Sequence, residues 1–148
     1  MSAFYEKLCY NDGEKKVGVK MREKIKINSY LKVTGDSLCT LENEYRGKKE
    51  GNELFYKEGD ICVHLKIMDD KVIMNRKTDA YEIEMPFLLD EVCQGKYEIP
   101  ELEGSFDLKV RTSVLEIEKE KLAITYHLTL GEEEIGKYEF KLTYEVIE

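Results

Sequence analysis

The residue types that most often carry chemistry are few in this 148-residue chain, and their spacing does not group them. The two histidines are His64 and His127, and His64 has a cysteine, Cys62, two positions before it. Residues at i and i+2 share one face of a strand, but a metal site needs three or four ligands and no second pair accompanies this one. We therefore predict no metal site.

Motifs for nucleophilic or phosphate chemistry are also missing from the sequence. The chain contains no Gly-x-Ser-x-Gly motif and no glycine-rich phosphate loop. Carboxylate pairs such as Glu82 with Glu84 and Glu116 with Glu118 have strand spacing, which is typical of a solvated outer face opposite lysines. We expect a protein that is not an enzyme, with no catalytic residues and no cofactor.

Cysteine spacing and apolar runs bear on the compartment. Cys9, Cys39, Cys62 and Cys93 are separated by 30, 23 and 31 positions and form no Cys-x-x-Cys pair. The even number of cysteines would allow two disulfides. Because nothing marks an oxidising compartment, we expect reduced cysteines that mostly pack in the interior. The first residues lack a basic start followed by an apolar stretch, and no apolar run approaches the roughly 18 residues that cross a bilayer. These features predict a cytoplasmic protein.

The charge distribution argues against nucleic acids and membranes as partners. The formal net charge is −8, and residues 1–24 hold six of the 23 basic residues but only four of the 31 acidic ones. The remaining chain is strongly acidic and would repel phosphate backbones and anionic membrane surfaces. Its basic residues alternate with acidic ones and form no stripe.

Any site in this chain must be positioned by β-strands, because apolar residues recur with a period of two. In β-rich sequences of this kind, strands joined by short turns close into a barrel, which removes exposed edges. The alternation of apolar residues shifts by one position between Thr112 and Val114, which indicates a bulge or a barrel corner. We predict an all-β, antiparallel up-and-down β-barrel of eight or nine strands. The predicted strands are Lys24 to Val33, Ser37 to Tyr45, Glu53 to Phe55, Ile61 to Ile67, Lys71 to Arg76, Ala80 to Phe87, Gly104 to Glu118, Leu122 to Leu130 and the segment after the turn Gly131 to Glu134.

Two stretches do not fit the alternation. Leu88 to Glu103 has no alternation of apolar and polar residues and contains Pro100, so we predict a loop with room for one helical turn. An ordinary long connection is the favoured interpretation, and a loop that caps a barrel mouth is the alternative. Residues 1–20 are polar and interrupted by glycines, which leaves an arm, an extra strand and a disordered tail open. The domain prediction is an N-terminal extension over residues 1–20 and a single barrel domain over residues 21–148.

The order of several short motifs resembles the YwiB-like family. The resemblance covers about residues 21 to 148 and is strongest after Gly104. It implies a small bacterial protein of unknown function with a calycin-like, lipocalin-related β-barrel, and it brings no established catalytic or binding residues. The motifs are Tyr56-Lys57-Glu58-Gly59-Asp60, Lys71 to Arg76, Met85-Pro86-Phe87, Gly104 to Lys109 with Thr112, Leu122 to Tyr126 and Leu130-Gly131-Glu132.

The barrel interior is the remaining place for a function. By the alternation, on the order of thirty residues face inward and nearly all are large, which favours a filled barrel. Against this, the inward tyrosines carry hydroxyl groups that need partners once they are buried. Arg76 would add an anchor for a carboxylate if its strand faces it inward, and Thr112 is one of the few small inward residues.

Two functions are consistent with these patterns. The first is non-catalytic binding of a small apolar or amphipathic molecule inside the barrel, which predicts a cavity open to solvent. The alternative is a filled barrel that acts through its outer surface, as a homo-oligomer or a protein-interaction module, with Phe4, Tyr5, Leu8 and Tyr10 as anchors. The predicted ligand-binding residues are Arg76, Tyr81, Thr112, Tyr126, Tyr138 and Tyr144.

Overall fold

The computed structural model describes residues 22–34, 38–102 and 104–147. The prediction about residues 1–20 therefore lies outside the described residues. No helix within these ranges is long and apolar enough to span a membrane. The strands are β1 (Arg22–Thr34), β2 (Leu38–Glu50), β3 (Glu53–Glu58), β4 (Ile61–Ile67), β5 (Lys71–Lys77), β6 (Glu82–Leu88), β7 (Val92–Ile99), β8 (Gly104–Glu118), β9 (Lys121–Leu130) and β10 (Glu133–Ile147).

The strands form one closed, antiparallel up-and-down barrel, in which each strand pairs with the next and β10 returns to pair with β1. The closing ladder runs from Lys24 opposite Ile147 to Thr34 opposite Lys137. The predicted all-β closed barrel is confirmed, but it has ten strands rather than eight or nine. We call the end that carries the β1–β2, β3–β4, β5–β6, β7–β8 and β9–β10 connections the upper end, and the opposite end the lower end.

The strand that the sequence prediction missed is β7. The predicted loop over Leu88 to Glu103 is wrong, because Val92–Ile99 pair along their whole length with β8 and only Pro100–Leu102 form a turn of 3-10 helix. The alternation is hidden because an inward position is Gly95. A side chain there would place its Cβ atom 2.7 Å from the carbonyl oxygen of Glu84 on β6. Glycine therefore allows the close backbone approach that joins β7 to β6.

Other predicted irregularities are present. The register between β8 and β9 shifts between Thr112 and Val114, as the change of phase predicts. The β3–β4 hairpin turns on Gly59, whose φ of 60° suits glycine. However, β3 continues past Phe55 to Glu58, so Glu58 is a strand residue rather than part of the turn.

The hydrophobic core fills the lower half of the barrel. Alternate residues of β1, β3 to β6 and β8 to β10 meet there, and their side chains are almost fully removed from solvent. Each such side chain contributes roughly 1.5–3 kcal/mol of burial free energy relative to an exposed one. The members with the least exposure at this end are Ile25, Ile27, Leu54, Leu65, Val72, Phe87, Leu122 and Leu142.

The acidic pairs lie on the outer wall, opposite lysines. Glu82 lies 3.7 Å from the ammonium group of Lys77, and Glu118 lies 3.9 Å from that of Lys121. Exposed pairs of this kind contribute at most about 1 kcal/mol each. Glu82 and Glu118 therefore belong to the solvated outer face of the barrel, as the strand spacing of the acidic pairs predicts.

Two cysteines of the part of the chain that the structure describes, Cys62 and Cys93, are in different states. Cys93 has a free thiol, whereas Cys62 is disulfide-bonded. The expectation of reduced cysteines is therefore wrong at Cys62. Spacing along the sequence could not reveal this, because a disulfide requires two Cβ atoms about 4 Å apart in space.

Candidate functional site

A cavity of about 290 Å³ occupies the upper half of the barrel, above the core. Leu41 contributes to its wall and yet is 51% exposed, so the cavity opens to solvent on the side of β2. Most of the wall is apolar. The lining residues are Ser29, Leu31, Leu41, Asn43, Tyr45, Glu58, Met74, Arg76, Ile83, Met85, Tyr97, Leu108, Tyr126, Leu128, Ile135, Tyr138 and Phe140.

Two local features leave this half of the barrel hollow. Ser29, the residue that interrupts the apolar alternation of β1, faces inward and is buried, but its small side chain fills little space. The neighbouring inward residue of β2 is Asn43, opposite Ser29 in the ladder. In addition, the ladder between β2 and β3 is limited, among the described residues, to Gly47–Glu50 of β2. The wall is therefore incomplete beside the upper half of β2.

An ion pair between Glu58 and Arg76 is set into the cavity wall. The Nη2 atom of Arg76 donates a hydrogen bond to Oε1 of Glu58. Both side chains are mostly buried, at 22% exposure for Arg76 and 17% for Glu58. Burial lowers the pKa of Arg76, but the hydrogen bond and charge of Glu58 outweigh this and raise it. The guanidinium group therefore stays charged inside the barrel.

Aromatic rings surround this ion pair. Tyr126 and Tyr138 stack face to face with ring centroids 5.1 Å apart, and Phe87 supports Tyr126 from below at 4.7 Å. On the other side of the ion pair, the ring centroid of Tyr45 lies 5.4 Å from that of Tyr56. Burial raises the pKa of each of these tyrosines above its ordinary value, and a tyrosine hydroxyl group is protonated at neutral pH even without such a shift. The cavity thus combines one charge pair, several neutral hydroxyl groups and an apolar wall.

Alkaline pH is expected to destabilise the barrel through the buried tyrosines. Burial raises the pKa of Tyr56 and Tyr126 above the ordinary value of 10.0. Below pH 10 both the folded and the unfolded chain keep these protons, so the stabilisation is fully present. Above it the unfolded chain loses them first, and each group lowers the free energy of unfolding by up to about 1.4 kcal/mol per pH unit.

Urea unfolding at about pH 9 and about pH 11 measures this effect. Tyr56→Phe removes one of the two groups, so its midpoint should fall less than that of the wild type over this interval. Equal falls for the two proteins would show that Tyr56 does not contribute.

The structure brings three of the six predicted ligand-binding residues to the cavity. Arg76, Tyr126 and Tyr138 line it. Tyr81 instead precedes β6. Its ring meets the ring of Tyr97 edge-on, with the two ring centroids 6.3 Å apart. Tyr144 lies at the lower end, where its amide group donates to the carbonyl of Glu120. A role in ligand binding stays a prediction for the residues at the cavity and has no geometric support for Tyr81 and Tyr144.

Thr112 also lies outside the cavity. It is buried in β8 at the bulge, and its backbone exchanges hydrogen bonds with Asp90 and Glu91. Its hydroxyl group, however, has no hydrogen-bond partner among the described residues. A buried polar group without a partner lowers stability.

Thr112→Val is therefore expected to raise the free energy of unfolding by about 1 kcal/mol. Urea unfolding at neutral pH measures the change. Thr143→Val, at an exposed position of β10, is the matched control and should change stability by less than about 0.5 kcal/mol. A loss of stability in Thr112→Val would instead indicate that an ordered water satisfies the hydroxyl group.

Glu58 is a charged cavity residue that the sequence interpretation missed. Leu54, Tyr56 and Glu58 continue one alternation, so the signal was present in the sequence. It was obscured because the Gly-Asp turn favours assigning a charged neighbour to the loop. Tyr45 and Tyr97 were also missed as cavity residues.

The histidines lie away from the cavity. His64 is on the outer wall, where its ring stacks on Phe55 at 4.5 Å and its Nε2 atom lies 2.7 Å from Glu53. Burial and the nearby Arg111 guanidinium lower the pKa of His127. Over the described ranges, no three histidine, cysteine or acidic side chains are grouped closely enough to hold a metal ion.

Comparisons with known proteins match most of this barrel. The model of a family described as a domain of unknown function, DUF1934, matches residues 25–142. The crystal structure of ywiB protein from Bacillus subtilis superposes with a TM-score of 0.62 at 15% sequence identity. That match covers 90% of this chain and 99% of the other, and at such low identity it shows a shared fold alone. No curated protein matches the chain.

Proposed function

Since this chain belongs to the DUF1934 family, a relationship that carries a fold but no activity, we propose its function from the cavity: non-catalytic binding of a small amphipathic molecule. The predicted resemblance to YwiB-like proteins is confirmed by the same matches. The calycin relationship and the cytoplasmic location stay predictions. No metal or other cofactor is part of this proposal.

The observation that carries the proposal is the separation of polar and apolar groups within one cavity. Met74, Met85, Leu108, Leu128 and Phe140 provide apolar wall. The charge pair lies near the upper end, because Glu58 ends β3 and Arg76 is the last but one residue of β5. A cavity of about 290 Å³ is at the lower limit of the usual range for small-molecule sites. An amphipathic molecule could thus place its tail against the apolar wall and its head group near the upper end.

Fluorescence of N-phenyl-1-naphthylamine, an uncharged probe that brightens in apolar surroundings, tests this proposal. We expect saturable binding of one probe per chain. Ser29→Phe should abolish it, because Ser29 lines the cavity and a phenyl ring would fill the space. Asn28→Phe, at an exposed position of the same strand, is the matched control and should bind as the wild type does. Equal binding by the two variants would place the probe on the outer surface and contradict the proposal.

The second candidate function is action through the outer surface, as a homo-oligomer or a protein-interaction module. Leu89 and Val92 are large apolar residues exposed near the lower end, and Val114 is exposed after the bulge of β8. The proposed anchors Phe4, Tyr5, Leu8 and Tyr10 lie outside the described residues.

Native mass spectrometry of protein from its own cells distinguishes the two functions. A bound small molecule that denaturation releases favours the cavity, whereas a ligand-free oligomer favours the surface.

A further inference from the structure

We infer that the cavity selects uncharged amphipathic molecules, such as alcohols and amides, and disfavours simple carboxylates, because Glu58 already compensates the charge of Arg76. This inference rests on the proposed function and specifies its ligand class. It differs from the sequence-based expectation, in which Arg76 is an anchor for a carboxylate.

The charge of the cavity supports this choice. Among its described lining residues, Glu58 and Arg76 are the charged ones, and they are hydrogen-bonded to each other. The wall therefore has no net charge. Both partners are mostly withdrawn from water, so screening by solvent is weaker here than at the surface.

A carboxylate ligand would meet an unfavourable arrangement. To reach Arg76 it must either lie beside Glu58, where like charges repel, or displace Glu58 from its hydrogen bond. Displacement would leave the Glu58 carboxylate without its partner at a position with little solvent. An ammonium ligand would meet the same difficulty at Arg76. Neither ion recovers the hydration that it loses on entering an apolar cavity.

An uncharged head group that both donates and accepts hydrogen bonds fits the same atoms. Arg76 has five N–H donors, of which one is directed to Glu58, and the Glu58 carboxylate has acceptor capacity beyond that one bond. The Tyr126 and Tyr138 hydroxyl groups, which line the same cavity, offer further donors and acceptors. A hydroxyl or amide group could bond to several of these groups without breaking the ion pair.

The test is displacement of N-phenyl-1-naphthylamine at pH 8 by three ligands with the same tail: 1-decanol, decanoate and decylammonium. In the wild type we expect 1-decanol to bind at least about tenfold more tightly than either ion. We expect the two ions to differ from each other by less than about tenfold, because the site is neutral. Tighter binding of decanoate than of 1-decanol would overturn the inference while leaving the proposed function intact.

Glu58→Gln isolates the electrostatic contribution. It removes the competing carboxylate, so decanoate affinity should rise about tenfold while 1-decanol affinity changes by less than about threefold. Glu139→Gln is the matched control: Glu139 pairs with Lys32 on the outer wall at 3.9 Å, and its loss alters the net charge equally. If the ratio of decanoate affinity to 1-decanol affinity is the same in Glu58→Gln as in the wild type, the inference is overturned.

The comparison of three ligands in the wild type needs no variant, so it tests the inferred preference for uncharged ligands even if Glu58→Gln does not fold. Failure of the probe itself to bind the wild type would instead overturn the proposed function, and this inference with it.

Discussion

Arg76→Met is expected to lower the free energy of unfolding by about 3 kcal/mol. The substitution leaves the Glu58 carboxylate without its countercharge at a position where only 17% of the side chain is exposed. Removing one partner of a buried pair costs more than the pair contributes, because the remaining charge has lost its water and gains nothing in return. Urea unfolding at pH 7, analysed as a two-state transition, measures the loss.

The double variant Arg76→Met with Glu58→Gln separates lost charge pairing from lost packing. We expect it to recover most of the stability, because no unpaired charge remains and Met keeps the apolar part of the Arg76 side chain. Lys32→Met, which breaks the exposed pair with Glu139, is the surface control and should cost less than about 1 kcal/mol. A similar small loss in Arg76→Met would indicate that water reaches Glu58 freely.

Phe87→Ala is the second substitution with a large expected effect, a loss of about 3–5 kcal/mol. Phe87 is fully buried in the core, and its ring supports Tyr126 at a centroid distance of 4.7 Å. Truncation removes buried apolar surface and leaves a void next to the existing cavity. Because Tyr126 loses its support, we also expect weaker binding of N-phenyl-1-naphthylamine.

Phe106→Ala is the control for this change. Phe106 makes the same kind of contact with an aromatic ring, at 5.6 Å from Tyr97, but it is 40% exposed. We expect a loss of less than about 1.5 kcal/mol, since less apolar surface is buried at Phe106 than at the fully buried Phe87. Equal losses in the two variants would contradict the division of the barrel into a filled lower half and a hollow upper half.

The strands of this barrel could largely be predicted from the sequence, because alternation reports which side of a strand each residue faces. The same logic fails at β7, where Gly95 occupies an inward position. Glycine was needed there to let two backbones approach, and a residue without a side chain contributes nothing to the apolar pattern.

The site was only half predictable, for a geometric reason. Alternation identifies Tyr126 and Tyr144 alike as inward, but it does not report how far along the barrel axis each one lies. That height depends on register and strand tilt, which arise only when the barrel closes. Tyr126 falls at the cavity, whereas Tyr144 falls at the lower end. The partner of Arg76 depends on the same three-dimensional information.

The ladder between β1 and β10 has a consequence for the kinetics of folding. It joins residues more than 100 positions apart along the chain, so its formation carries a large loss of chain entropy that local hairpins do not. During synthesis, hairpins such as β3–β4 can form early, but β1 lacks its second neighbour until β10 has left the ribosome. Until then, β1 and β9 each present an unpaired edge to other chains. The interval before closure is therefore when this protein is most exposed to aggregation, and the rate of that last pairing sets its length.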